Sequence, residues 1–192
     1  MKRALILLCD GVEATEAIAT YDTLRRSHEI DPTFITRNYR DAKAIKTSME
    51  DIMIAGDKKL LIYKEENLND LVNYFDIVIL PGGKVGVDNI KLEFKGLIKA
   101  FINANKHVHA ICAAPSVLGE LGYLEGKKYT CYPGFESPSF KGTWLDKGVV
   151  LDKDTVTGRS MGYSVEFALT IIDLECGSEA VHRAKIGIYG LE

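Results

Sequence analysis

His107-Val108-His109-Ala110-Ile111-Cys112-Ala113-Ala114-Pro115-Ser116-Val117-Leu118 reads as a strand, a sharp turn and a helix, with a cysteine at the turn. The pattern predicts a nucleophile elbow, in which a strained strand-to-helix turn lifts one reactive side chain above a sheet and aims it at backbone donors. Such a turn needs small residues two positions either side of the nucleophile, and Ala110 and Ala114 stand there. Pro115 suits the first helical turn, where its missing N–H costs nothing. A helix N-terminus behind the sulfur favours thiolate, the reactive form. Cys112 is therefore the candidate nucleophile.

Outward from the elbow, strands and helices alternate. Ala4 to Leu8 and Ile77 to Leu80 are continuous apolar runs, as expected of strands buried on both faces of a parallel sheet. Pro32 to Ile35 reads as another strand. Thr15 is expected to cap a helix that carries Ile18, Tyr21 and Leu24 on one face. Between Asn38 and Ile62 the pattern weakens; Ser48 to Ile54 and Lys59 to Tyr63 read as short strands forming an antiparallel edge around Gly56-Asp57. Leu68, Leu71 and Val72 mark a short helix, and Phe94, Leu97, Ile98 and Phe101 a longer one. Gly122 is expected to stop the helix after the elbow, with Tyr129 to Tyr132 as a further strand. Val149 to Leu151 and Thr155 to Thr157 pair as a hairpin across Asp152-Lys153-Asp154. Helices follow over about Ser164 to Cys176, closed by Gly177, and from Ser178 through Lys185. This alternation predicts one α/β domain over residues 1–192, a doubly wound and mostly parallel sheet with its functional loops at the strands' carboxyl ends. Both Cys112 and the Pro81-Gly82-Gly83 loop lie at such ends.

Composition narrows the function classes. The 192 residues are 46% hydrophobic and 27% charged, ordinary for a folded chain. A net charge of -3 and a pI of about 5.9 give no basis for nucleic acid or an anionic membrane surface as partner. No apolar run approaches the ~20 residues that span a bilayer. The apolar stretch near Met1 is too short for a signal peptide and runs into Asp10 and Glu13. Cys9, Cys112, Cys131 and Cys176 are widely spaced with no CxxC pattern, which argues against zinc and against a disulfide framework and points to a reducing, cytoplasmic compartment.

Lys2-Arg3-Ala4-Leu5-Ile6, Gly11-Val12-Glu13-Ala14-Thr15-Glu16, Leu80-Pro81-Gly82-Gly83, Ala110-Ile111-Cys112-Ala113-Ala114-Pro115 and Glu166-Phe167-Ala168-Leu169 together resemble the ThiJ/PfpI superfamily. The similarity is greatest to its branch of the parkinsonism-associated deglycase and bacterial ThiJ-type proteins. The resemblance implies a flavodoxin-like sandwich, a homodimer, and a low-pKa cysteine, Cys112, beside a protonated glutamate, Glu16. It implies backbone donors at Gly83 and Ala113 facing the sulfur. Elementary electrostatics agrees: a carboxylate would repel a thiolate, so the pair works only if Glu16 keeps its proton and donates it to sulfur. That hydrogen bond stabilises the thiolate and, after oxidation, a sulfinate. The Gly83 amide in the same pocket resembles an oxyanion hole.

Two positions depart from the pattern. Ala113 stands where protease-like members have histidine, and Tyr132 where many relatives of the deglycase have one. None of His28, His107, His109 and His182 is placed to serve as base, which disfavours a peptidase. His107 and His109 share a strand face, but two histidines make no metal site, so no metal is expected. Gly82, Tyr132 and Arg159 are further pocket candidates; Arg159 either orients an anion or binds backbone carbonyls, the second being favoured. Trp144, Tyr132 and Phe135 either wall the pocket or pack as a loop core. Cys131 is a candidate resolving thiol. Two functions follow. One is cofactor-independent glyoxalase or deglycase chemistry on reactive aldehydes such as methylglyoxal; the other is a sensor or chaperone whose Cys112 peroxide oxidises to sulfinate.

Overall fold

The computed structural model describes residues 1–37, 44–46, 51–53 and 60–191. Strands β1 (Lys2–Leu8), β2 (Ile30–Thr36), β5 (Leu60–Ile62), β6 (Ile77–Leu80), β7 (His107–Ile111), β10 (Val149–Asp152) and β11 (Thr155–Gly158) form the main sheet. Their spatial order is β10-β11-β7-β6-β1-β2-β5, and every neighbouring pair is parallel except β10 with β11. Small pairings lie outside it: β3 (Ala44–Lys46) runs antiparallel to β4 (Asp51–Met53), and β8 (Lys128–Tyr129) parallel to β9 (Thr143–Trp144). The helices are α1 (Ala14–Arg26), α2 (Leu68–Tyr74), α3 (Lys84–Asn103), α4 (Pro115–Glu120), α5 (Ser164–Cys176) and α6 (Ser178–Tyr189).

The apolar runs explain the central position of their strands. Ala4 to Leu7, Ile77 to Leu80 and Val108 have no solvent exposure, so both faces of β1, β6 and β7 must be covered by helices. From β1 the chain moves to β2 on one side; from β6 it moves to β7 on the other. Right-handed crossovers in opposite directions put α1 and α3 on opposite faces. Helices α5 and α6 join α1, while α2 packs with α3. The reversal between β1 and β6 leaves a crevice at their carboxyl ends, the usual ligand position in an open α/β sheet.

Several expected elements are shifted. Helix α1 is capped by Glu13, whose side chain accepts from Thr15 N at 3.4 Å; Thr15 itself lies inside the helix. Among the described residues the strands expected over 48–54 and 59–63 do not pair with each other, since β4 joins β3 and β5 extends the main sheet beside β2. The Gly56-Asp57 turn lies outside the described residues. The strand expected over Tyr129 to Tyr132 stops at Tyr129, because the next amides find other acceptors: Thr130 N bonds Thr157 Oγ1 at 2.9 Å and Tyr132 N bonds Cys112 O at 2.8 Å. Helix α6 continues past Lys185 to Tyr189, where Gly190 ends it in the left-handed region. The hairpin over β10 and β11 forms as expected, pairing Asp152 with Thr155.

At the amino end of the sheet, Glu175 in the last turn of α5 is tied down by three residues on two strands, β1 and β7. Its side chain is 1% exposed; His107 Nδ1 bonds Oε1, Lys2 Nζ lies 3.1 Å from Oε2, and His109 Nε2 lies 3.5 Å from Oε1. A carboxylate at a helix C-terminus opposes the helix dipole, so these partners are what make the position tenable. Burial would raise the Glu175 pKa, but His109 and His107 outweigh it and bring it down to about 2.

A carboxyl depressed in the fold adds stability above its unfolded pKa and loses it as pH falls through the folded one. Glu175→Gln should therefore lower stability at pH 7 by about 2 kcal/mol, after allowing for solvent at the half-open His107. The difference between the two proteins should shrink as pH falls from about 4.5 toward about 2, which urea titrations across that range will read.

Candidate active site

Three loops meet at the switch point, after β1, β6 and β7. The first is bound to the second through Glu13 N to Gly82 O at 3.1 Å and Gly86 N to Gly11 O at 3.0 Å. Cys112 follows β7 with a φ of +63°, a region that costs a non-glycine residue about 1–3 kcal/mol. Two backbone bonds hold it there: its N–H donates to Gly158 O at 2.9 Å and its carbonyl accepts from Tyr132 N. Ala110 and Ala114 are fully buried beside it, and Pro115 opens α4.

Glu16 lies in the first turn of α1 and is 1% exposed. Its Oε2 accepts from Gly82 N at 2.7 Å. Oε1 has no conventional hydrogen-bond partner among the described residues, and the Cys112 side chain is the other polar group that engages the carboxyl. Glycine at 82 makes this approach possible. A Cβ there would sit 2.6 Å from Cys112 Cβ, 2.9 Å from Glu16 Oε2 and 3.0 Å from Ala113 N. Gly83, with a φ of +99°, and Ala113 present their N–H groups to the Cys112 sulfur.

Burial pushes the Glu16 carboxyl up to about 7, against the Gly82 N–H and the Cys112 side chain, which favour its charged form. Burial and then the Glu16 charge push the Cys112 thiol up to about 12, against the Gly83 and Ala113 N–H groups. This runs counter to the expectation of a plainly acidic thiol. Because each negative charge opposes the other, the two groups titrate as one pair, with a singly protonated state spanning the interval between. The remaining thiols are also raised by burial first, Cys131 to about 12 and Cys9 further. Cys9 and Cys131 are sealed from solvent, whereas Cys112 and Cys176 are partly exposed.

The pair opens into a cavity of about 530 Å³. Besides Glu16, Gly83, Cys112 and Ala113, it is lined by Glu13, Lys84, Tyr132, Phe135, Ser160 and Met161. The structure thus brings together Cys112, Glu16, Gly82, Gly83, Ala113 and Tyr132 of the expected set. Arg159 is not among the lining residues; its guanidinium pairs with Asp146 and not with the backbone carbonyls expected of it. Phe135 belongs to the wall. Trp144 does not, its indole N–H instead favouring charge on the Cys131 sulfur. Glu13, Lys84, Ser160 and Met161 were not anticipated: Glu13 and Lys84 flank recognisable motif residues, whereas nothing in the local pattern marks Met161. A cavity of about 680 Å³ beside β5 and α2 is larger but has no thiol, histidine or carboxyl pair among its lining residues.

His107, His109 and Glu175 offer three ligand atoms within 4.8 Å of one another. The tautomer argues against a metal. Val156 N donates to His109 Nδ1 at 3.0 Å, which leaves the ring proton on Nε2, the atom facing Glu175. A metal-bound histidine instead uses its ligating lone pair and donates its other N–H. Lys2 also occupies the second carboxylate oxygen. The cluster is an ion-pair anchor.

Comparison with known proteins bears on the family and the fold. The family model for the DJ-1/PfpI family matches residues 2–174. Protein dj-1beta of Drosophila melanogaster is 34% identical over 193 residues, covering 97% of this chain and 96% of that protein. A deglycase of Pyrococcus abyssi is 30% identical over 165 residues, covering 83% and 91%. The crystal structure of Drosophila DJ-1beta superposes with a TM-score of 0.79 at 32% identity, covering 98% of this chain and 97% of that one. A mutant DJ-1 superfamily protein from Salmonella typhimurium gives 0.79 at 31%, covering 98% of each chain. No helix among the described residues is long and apolar enough to cross a membrane. With the family model spanning nearly the whole sheet and both loops of the Glu16–Cys112 pair, the chain belongs to the DJ-1/PfpI family.

Proposed function

We propose that the protein is a cysteine-dependent stress-protection enzyme acting on small reactive aldehydes, with Cys112 as nucleophile at an elbow and Glu16 as acid–base partner. The observation that carries this reading is the buried carboxyl of Glu16 engaged with the Cys112 side chain at a strained strand-to-helix turn. A deglycase among the relatives supports the substrate class. In the singly protonated pair the charge sits on sulfur and the proton on Glu16. Two backbone N–H groups and the carboxylic acid then face the sulfur, whereas the carboxyl has one backbone donor.

The chemistry is balanced without a cofactor. The thiolate adds to the aldehyde carbon of methylglyoxal, and Glu16 gives its proton to the oxygen, forming a hemithioacetal. The resulting carboxylate removes the hydrogen from that carbon and, through an enediol, returns it to the neighbouring carbon, which leaves a lactoyl thioester. Water cleaves the thioester, releasing lactate and restoring the thiol. The sum is methylglyoxal plus water giving lactate. The Gly83 and Ala113 amides stabilise oxyanions formed along the way.

The same donors favour a second reading, in which peroxide converts Cys112 to a sulfinate held by Gly83, Ala113 and Glu16, and the change alters what the protein binds. A homodimer is part of either reading, and light scattering should give about twice the 21.3 kDa chain mass.

Glu16→Gln should keep a donor near the sulfur while reducing methylglyoxal turnover by ~10²-fold or more. Lactate production by wild type, Glu16→Gln and Cys112→Ala measures this directly, and equal rates in all three would remove the enzyme reading. Under the sensor reading, Glu16→Gln instead changes how far Cys112 oxidises, as read by intact mass after peroxide.

Thiolate absorbance in the ultraviolet should already be present near neutral pH in wild type and be lost in Cys112→Ala; a rise only near pH 12 would place the charge on Glu16 instead. Iodoacetamide at mildly acidic pH should label Cys112 first and Cys176 second, with Cys9 and Cys131 protected by burial.

A further inference from the structure

Tyr132-Pro133-Gly134-Phe135 forms a tight turn, closed by Phe135 N to Tyr132 O at 3.1 Å, with Gly134 at a φ of +90°. Proline followed by a left-handed glycine is what a type II turn requires. Glu136 fastens it by accepting from Gly134 N at 2.8 Å. Tyr132 N bonds the carbonyl of Cys112, so the turn is attached to the nucleophile's own backbone. The two aromatic rings lie 6.4 Å apart, edge to face, and line the same cavity as the thiol, together with Met161. Yet Tyr132 is 48% and Met161 52% exposed. Tyr132 is thus fixed beside the thiol by the turn and, with Met161, left largely uncovered, the arrangement of a subsite whose occupant comes from outside.

Cavity size argues in the same direction. Methylglyoxal fills roughly 100 Å³ on the scale of about 30 Å³ per water molecule. The cavity of about 530 Å³ leaves most of its volume, including the aromatic turn, untouched by so small a molecule.

We propose that the turn is an aryl-binding subsite, so that the preferred substrates are 2-oxoaldehydes carrying an aromatic group, with the aldehyde at Cys112 and the ring against Tyr132, Phe135 and Met161. The proposal rests on the aldehyde chemistry above and names its substrate class. Phenylglyoxal stands for that class, and addition, hydrogen shift and hydrolysis convert it with one water to mandelate.

The test is the ratio of kcat/KM for phenylglyoxal to that for methylglyoxal, in wild type and in Tyr132→Leu/Phe135→Leu, which keeps apolar bulk but removes both rings. The wild-type ratio should exceed the variant's by about tenfold or more, the usual worth of an apolar contact made or lost. An equal ratio overturns the proposal, and the two single variants replace the double one if circular dichroism shows it unfolded. If wild type converts neither aldehyde, the enzyme reading fails and a binding measurement decides the subsite. Benzoylformate should then protect Cys112 from iodoacetamide at about tenfold lower concentration than pyruvate, in wild type but not in the leucine variant. Equal protection by the two acids overturns the proposal.

Discussion

A carboxyl almost sealed from water, held by one short bond from Gly82 N to Glu16 Oε2, is the constraint around which this site is arranged. Burying an acid with so few partners favours its neutral form and raises its titration well above the usual carboxylate range. The position follows from topology. Helix α1 starts where β1 ends, the Gly82 loop starts where β6 ends, and these strands are neighbours at the point where the chain reverses its direction of travel across the sheet. Remove the side chain at 82 and three groups approach one another; add one and they cannot.

Much of this was legible in the residues because the informative positions are constrained by backbone geometry. Ala110, Ala114 and Pro115 announce a turn with no room for side chains, and unbroken apolar runs announce strands covered on both faces. Those signals are local. What they could not convey was where a hydrogen bond goes once the chain has folded. The Tyr129 to Tyr132 stretch has strand-like residues, yet its amides are spent on Thr157 and Cys112, partners 20 or more residues away. Thr15 is a better capping residue than Glu13 by propensity, but the Gly82 carbonyl fixes Glu13 at the helix entrance.

Long-range pairing also decided the histidines and Arg159. His107 and His109 were visible as two side chains on one strand face, whereas their carboxylate partner belongs to α5, 66 residues or more further along. Asp146 reaches Arg159 from a loop whose course no periodicity reveals. Strand β7 consequently carries a charged anchor at one end and the Cys112 thiol just beyond the other. The anchor's carboxyl is held down near 2 while burial raises both groups of the pair, so the site changes protonation while the anchor stays ionised.

The attachment of the aromatic turn to Cys112 uses only the amide of residue 132, a group that every amino acid except proline supplies. The backbone bond that braces Cys112 is therefore indifferent to the side chain at that position. Histidine, tyrosine or a smaller residue would each supply the same amide to Cys112 O. The side chain that faces the cavity at position 132 is thus separable from the bond that fixes the backbone of Cys112.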